Sequence, residues 1–358
     1  MMNTFFLKLN KYRNYLGKKF MNYVFRNRLG KKMWTTKLII FVMGILDKNQ
    51  VYINTGDIDN FDHYVPQLLL NRWKILEAGQ NQNKIFLWSK REKTIEPKSI
   101  KKVAGEINWD TSSANGKPSD YVSKKLYAEV LEQKTSYIIK YANLNKVPKL
   151  TFLEESTLSV FIAHQIIRVP HFRNTLNKFL SLGYSKGLIS KEDFGNKDIL
   201  VNKVAKNTIN ITYDQLSKET PSMVLKGAKQ QISLVSLVIA SDMAEKIYRT
   251  RHLKFLEIPE EDENEFVISD NPVVFLDMGR NTILEHIPWW EVGIEKFIIF
   301  MPISPKKALV YTPVKHDDNF PTKSFIELLN FGQYANCSEG VFGKKELTIQ
   351  KHLKYYNI

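Results

Sequence analysis

The chain has 358 residues, 43% hydrophobic and 25% charged, which is enough for a sizeable core and too apolar for a disordered chain. One cysteine, Cys337, excludes an internal disulfide framework and a cysteine-built zinc cage, and suits a reducing, cytoplasmic setting. The formal net charge of +15 points toward a polyanionic partner, yet residues 1–46 hold ten Lys or Arg and no Asp or Glu, so the rest of the chain is only mildly basic.

Residues 1–56 read as a basic, aromatic N-terminal extension, with Phe5, Phe6, Tyr12, Tyr15, Phe20, Tyr23 and Phe25 set among the cations. Such an arm suits a membrane surface or phosphates. Its apolar run Leu38–Leu46 is nine residues long, short of the about 20 needed to span a bilayer, and no small-residue cleavage site follows. A buried element and interfacial attachment are both open readings of that run, and a true start at Met33 or Met43 is a third.

Residues 57–358 read as one domain. After a loop over 47–60, interrupted by the strand-like Val51–Ile53, comes Asp62-His63-Tyr64-Val65-Pro66-Gln67-Leu68-Leu69-Leu70, which predicts a core-docking helix from Pro66 to about Glu77. Ile85–Trp88 is a predicted strand, 108–120 a loop, and Ser119–Leu144 a long helix whose Leu126, Val130, Tyr137 and Tyr141 mark the buried side. A second helix starts near Glu154 and bends or restarts at Pro170 before reaching about Leu182. Residues 183–196 are turn-rich, Ile199–Tyr213 is weakly patterned, and a third helix spans about Ser222–Phe255. After the acidic turn Glu260–Glu263 the pattern changes to strands at 266–268, 273–276, 297–300 and 308–311, and Pro302–Pro305 reads as a rigid corner ending one of them. A last helix covers Lys323–Asn336 and precedes a polar tail. The whole predicts an α+β fold: a mostly helical body with a compact antiparallel sheet in the C-terminal third.

Several polar residues fall where apolar ones belong. On the second helix, Leu158, Phe161, Ile162 and Val169 share a face with Gln165 at its centre and Arg168 at its edge, while His164 and His171 lie farther round and read as solvated. Buried amides and guanidiniums need partners. Glu129, at the border of the preceding helix's buried side, is the carboxylate placed to meet Arg168. In Ile268-Ser269-Asp270-Asn271-Pro272 the Asp and Asn favour a turn, and at a strand end the same carboxylate is placed to face a cleft. No Gly-rich phosphate loop, His-Glu-x-x-His, Gly-x-Ser-x-Gly or Cys-x-x-Cys is present.

Four stretches then stand in order: His63-Tyr64-Val65-Pro66-Gln67, Gln165-Ile166-Ile167-Arg168-Val169-Pro170, Ser269-Asp270-Asn271-Pro272 and Pro302-Ile303-Ser304-Pro305. Together they resemble a widespread microbial family catalogued as domain of unknown function 4238, over about residues 60 to 340. Leu329-Asn330 resembles the family's closing segment. Trp73 and the three-leucine run depart from the pattern, as a packing variation. The resemblance implies no established activity, but it gathers His63, Gln165, Arg168, Asp270 and Asn271 into one motif set, for which a site and a structural network are competing explanations.

The first functional expectation is a nuclease-like phosphodiester hydrolase. His63 would be acid or base, Arg168 would hold phosphate charge, Asp270 or Glu129 would orient the histidine or bind Mg²⁺ or Mn²⁺, and Tyr64, Gln165, Asn271 and Asn330 would contact substrate. The alternative is a non-catalytic nucleotide or nucleic-acid binding module. A third reading is a protein held at a membrane surface by residues 1–46, with a core that only packs.

Overall fold

Two antiparallel sheets share one helix between them. The computed structural model describes residues 61–76, 83–107, 109–110, 112–114, 117–119, 122–145, 148–188, 228–280, 282–284, 297–313 and 323–358. The chain divides after Gln50, and the described residues all belong to the unit Val51–Ile358. The basic extension, its apolar run and Ile199–Tyr213 lie outside the described residues.

The larger sheet is built from β7 (Arg251–Glu257), β9 (Val274–Asp277), β10 (Thr282–Leu284), β11 (Phe297–Ser304) and β12 (Lys307–Pro313), in the order β10-β9-β11-β12-β7. The predicted strands at 273–276, 297–300 and 308–311 all fall in it, while the one predicted at 266–268 is reduced to Ile268–Ser269 and belongs to the smaller sheet. Pro302 does not end β11: the strand runs on to Ser304, with a register shift between Pro302 and Ser304, and the chain turns at Pro305-Lys306. A shift of this kind lets the strand carry a residue that cannot donate to the ladder. The smaller sheet joins β2 (Lys84–Ser89), β3 (Ile95–Ser99), β8 (Ile268–Ser269) and β13 (Gly340–Gly343) as β3-β2-β13-β8. Gly340 is required there, because an added Cβ would sit 2.2 Å from the Trp88 carbonyl oxygen on the facing strand. Two short ribbons complete the strands: β1 (Phe61–His63) with β4 (Gly105–Ile107), and β5 (Ser112–Ala114) with β6 (Lys117–Ser119). Both form where the sequence predicts loop or the approach to a helix.

Among the described residues the α-helices are α1 (Gln67–Leu70), α2 (Gln133–Leu144), α3 (Phe152–Arg168), α4 (Pro170–Ser185), α5 (Ala228–Thr250), α6 (Lys323–Asn336) and α7 (Glu346–Tyr356). The fold is α+β. No helix of these residues is long and apolar enough to cross a membrane. α3 begins on a capping box, in which Thr151 Oγ1 accepts from the Glu154 amide and Glu154 accepts from the Thr151 amide. It ends at Val169, whose ψ of 153° is the extended conformation expected before a proline, and α4 restarts at Pro170 as predicted.

The stretch after Asn336, predicted as a polar tail, instead forms β13 and α7, whose Ile349 and His352 are buried, and three further helices differ from prediction. α1 passes into a 3₁₀ turn at Asn71–Trp73 and stops, because Trp73 Nε1 donates to the Phe266 carbonyl and the Ile75 amide to the Lys84 carbonyl, pulling the chain into extended form. α5 ends at Thr250, and β7 starts at the next residue, so His252–Phe255 are strand. The helix predicted over 119–144 is a π-helix over Val122–Glu132 before it becomes α2. Its i→i+5 bonding turns less per residue than α-helix and so rotates the downstream face. Leu126, Tyr127, Leu131, Ile138, Ile139 and Ala142 are buried, while Tyr137 and Tyr141, predicted inward, are 70% and 40% exposed.

α6 fastens the two sheets. Ile326 and Leu329 pack with Val274, Ile298, Phe300 and Val310 on the larger sheet and with Phe266 of the segment before β8, while Tyr334 packs with Trp88, Val341 and Ile349 beside the smaller one. On β12, Tyr311 meets Ser159 of α3, and Lys307 donates to the Ala142 and Asn145 carbonyls at the end of α2.

Candidate functional site

Arg168 closes the last turn of α3 and lies buried at the junction of four segments. Its Nη1 donates to Glu132 at 2.8 Å, and its Nη2 to the His63 carbonyl at 2.7 Å and to Asp110 at 3.1 Å. The guanidinium carbon lies 3.8 Å from the centre of the Tyr127 ring. Burial alone would lower this guanidinium's pKa, but Asp110 and Glu132 hold it raised. Asp110, itself fully buried, accepts from Arg173 at 2.5 Å through its other oxygen. Arg173 also donates to the Trp109 carbonyl and stacks on the Trp109 ring, and the Trp109 indole donates to the Arg168 carbonyl. The Asp110 amide donates to Asp62, which fixes the loop to β1.

The inter-helix Glu–Arg pair therefore forms, but through Glu132. Glu129 is exposed on the π-helical stretch. Asp110, Arg173, Trp109 and Tyr127 complete the network, and of these the sequence pattern points to none but Arg173. Arg173 was findable, since it lies five residues beyond Arg168 across a proline kink. Asp110 was not, because nothing in a loop of unknown path marks a carboxylate as buried.

His63 sends only its carbonyl to Arg168. Its ring Nε2 lies 3.0 Å from the Ile100 carbonyl oxygen, and burial holds its pKa below the ordinary imidazole value. Tyr64 points the other way along the chain: its ring meets Trp109 edge-on, and its hydroxyl donates to Glu339 at 2.8 Å. The Glu339 amide donates to Asp270 at 2.7 Å, and the Ser338 amide reaches both Asp270 oxygens. Asp270 is fully buried, and burial, opposed by these amides, pushes its pKa up to about 7. A polar thread thus runs from Arg168 through the His63-Tyr64 backbone to Glu339 and Asp270. No hydrogen bond joins His63 to Asp270.

Asn271 and Asn330 belong to a separate seam along α6. Asn330 spans the Val267 amide and the Glu265 carbonyl, Gln333 spans Ser269 and the Pro272 carbonyl, and Asn271 donates to the Asn336 carbonyl. Gln165 is fully buried with neither amide atom hydrogen-bonded. His164, read as solvated, is 6% exposed: its Nδ1 lies 3.4 Å from the Tyr127 hydroxyl, and burial pushes its pKa down to about 3. His171 is half-buried. The burial of both follows from α3 and α4 being covered on more than the one apolar stripe.

Among the described residues no His, Cys, Asp and Glu gather three or more in a metal-holding group. A cleft of about 540 Å³ opens where the 260–263 turn, the Pro305-Lys306 turn and Lys344-Lys345 meet. Carboxylates at 257, 260, 261, 262, 263 and 265 line it with Arg72, Lys306, Lys307, Lys344 and Lys345. Lys307 pairs with Glu257 and Lys345 with Glu265, while Lys306 caps the Asp262 and Asn264 carbonyls. Glu260, Glu261 and Glu263 are exposed on its rim.

Residues 62–346 match a family described as "Protein of unknown function (DUF4238)". No curated protein and no solved structure matches the chain.

Proposed function

Given that the chain belongs to the DUF4238 family, whose description names no activity, we propose that it is a non-catalytic binding module whose ligand is a cationic polypeptide segment. One observation carries this reading: the polar groups that a hydrolase would need free are spent inside the protein. The ring Nε2 of His63 faces a backbone carbonyl, Arg168 divides its terminal nitrogens among three acceptors, and Asp270 is sealed beneath two amides. A phosphodiester hydrolase requires a titrating atom within reach of substrate and a cation available to phosphate. The cleft supplies the ligand's chemistry. Six carboxylates face five cations there, and two ion pairs within the wall use two of each, leaving four carboxylates against three cations. A polyphosphate meets repulsion at such a rim, and a Lys or Arg side chain meets Glu260, Glu261 and Glu263.

The test is fluorescence anisotropy with labelled oligolysine, RNA, single-stranded DNA and duplex DNA, on wild type, Glu260→Lys/Glu261→Lys and His63→Ala. The reading expects oligolysine to bind, the charge-reversed variant to lose at least about tenfold in affinity, as like charges at an interface cost several kcal/mol, and His63→Ala to bind normally. Cleavage of a nucleic acid by wild type in Mg²⁺ or Mn²⁺, abolished by chelator and by a folded His63→Ala, would restore the nuclease reading. Tight nucleic-acid binding without cleavage, together with indifference to oligolysine, would replace the cationic ligand by an anionic one.

A further inference from the structure

The π-helical stretch over Val122–Glu132 turns the next helix so that it presents side chains its pattern would otherwise bury. On α2, Tyr137, Tyr141 and Leu144 follow at i, i+4 and i+7 and form one stripe, exposed by 70%, 40% and 77%. Lys134 and Lys140, both exposed, lie about 60° to either side of it at roughly 100° per residue. No acidic residue occurs between Gln133 and Leu144.

We propose that this outer face of α2 is a contact surface for an anionic lipid bilayer. Tyrosine seats its ring among acyl chains and its hydroxyl at the headgroups. Flanking lysines lay their stems along the apolar boundary and hold their ammonium groups against lipid phosphate. The helix face is cationic and apolar together, which complements an anionic leaflet. A second, independent feature favours lipid over an acidic protein: residues 1–46 combine ten cations with aromatic side chains and no carboxylate, the same chemistry repeated elsewhere in the chain. Long π-helical segments are rare and often mark functional positions, and here the segment's effect is to expose the stripe.

The experiment uses the full chain carrying Leu144→Cys labelled with an environment-sensitive fluorophore. Native Cys337 is 2% exposed and does not compete for the label. Vesicles of phosphatidylcholine, with and without phosphatidylserine, are added. Emission moves to the blue with phosphatidylserine vesicles only, and Lys134→Gln/Lys140→Gln lowers the partition coefficient about thirtyfold, near fivefold for each lysine at an anionic leaflet. Protein that pellets with vesicles while the label stays unshifted overturns the proposal, because another part of the chain is then the contact. A shift produced by polyglutamate but not by vesicles overturns it in favour of an acidic protein partner. A shift that grows with protein concentration alone overturns it in favour of a second copy of the chain.

Discussion

Replacing Arg168 with alanine separates a scaffold arginine from one held ready for a ligand. The side chain is 4% exposed and engages Glu132, Asp110 and the His63 carbonyl while covering the Tyr127 ring. Removing one partner of a buried ion pair costs about 3–5 kcal/mol when the other charge is stranded. Stranding is incomplete here. Asp110 keeps Arg173 at 2.5 Å, and Glu132, 20% exposed, keeps some water, which argues for the lower end of that range. Loss of the guanidinium–Tyr127 contact adds about 1 kcal/mol, so the expected cost is about 4 kcal/mol. Urea unfolding measures it, as a fall in midpoint at unchanged slope. Tryptophan emission follows the same transition, and Trp109, whose indole donates to the Arg168 carbonyl, is one of the six tryptophans that contribute to it. A cost below about 1 kcal/mol, or a gain, refutes the reasoning. Binding residues are often held at a cost to stability, and their removal then relaxes the fold; that result would return Arg168 to a ligand-binding role.

Asp270 gives a pH signature. Its pKa is about 7 folded, against an ordinary value of 3.8, so between those pH values the folded state binds the extra proton and stability falls as pH rises. Relative to Asp270→Asn, wild type should lose stability from pH 4 to pH 7 and hold steady above; a pH-independent difference contradicts the sealed carboxylate. His164 and His352, pushed by burial to about 3 and about 4, act oppositely. Their contribution is full above the unfolded pKa of about 6.5 and is lost as the pH falls below it, so His164→Phe should blunt acid unfolding followed by circular dichroism. Gln165→Met should raise stability by about 1 kcal/mol in thermal melts, since it removes two buried polar atoms without partners; a loss would mean that the amide has a partner in solution. Tyr64→Phe deletes the hydroxyl bond to Glu339 but keeps the ring against Trp109, and should cost about 1–2 kcal/mol in urea; a cost near zero would break the thread at that point.

The elements legible in the sequence were those with local causes. The proline break at Val169-Pro170 and the apolar strands of the larger sheet depend on neighbours within a few residues. The awkward position of Arg168 on an apolar face was legible too, and so was its need for a glutamate from the preceding helix. The identity of that glutamate was not, because a wheel drawn at α-helical pitch fails over Val122–Glu132. The same error turned Tyr137 and Tyr141 inward. Long-range partners were beyond reach. His63 sits in a strand only because β4, more than forty residues on, pairs with it, and Asp110 is buried only because α3 and α4 bring two arginines to one loop. Gln165 was expected to find partners and shows none, and no feature of the surrounding helices accounts for it.

The smaller sheet sets a schedule for the protein's birth. β2 and β3 form a hairpin early in the chain, but the strand that shields β2 on its other side is β13, whose Gly340–Gly343 pairs with Phe86–Ser89. Ribosomes add roughly 5–20 residues per second, so about 250 residues must be made, over some ten to fifty seconds, before that edge is covered. Through that interval Ile85 and Trp88, both buried in the finished fold, flank an open row of amides and carbonyls of the kind that recruits other strands. Yield in the cell should therefore depend on elongation rate and holding chaperones more than on the stability of the completed domain.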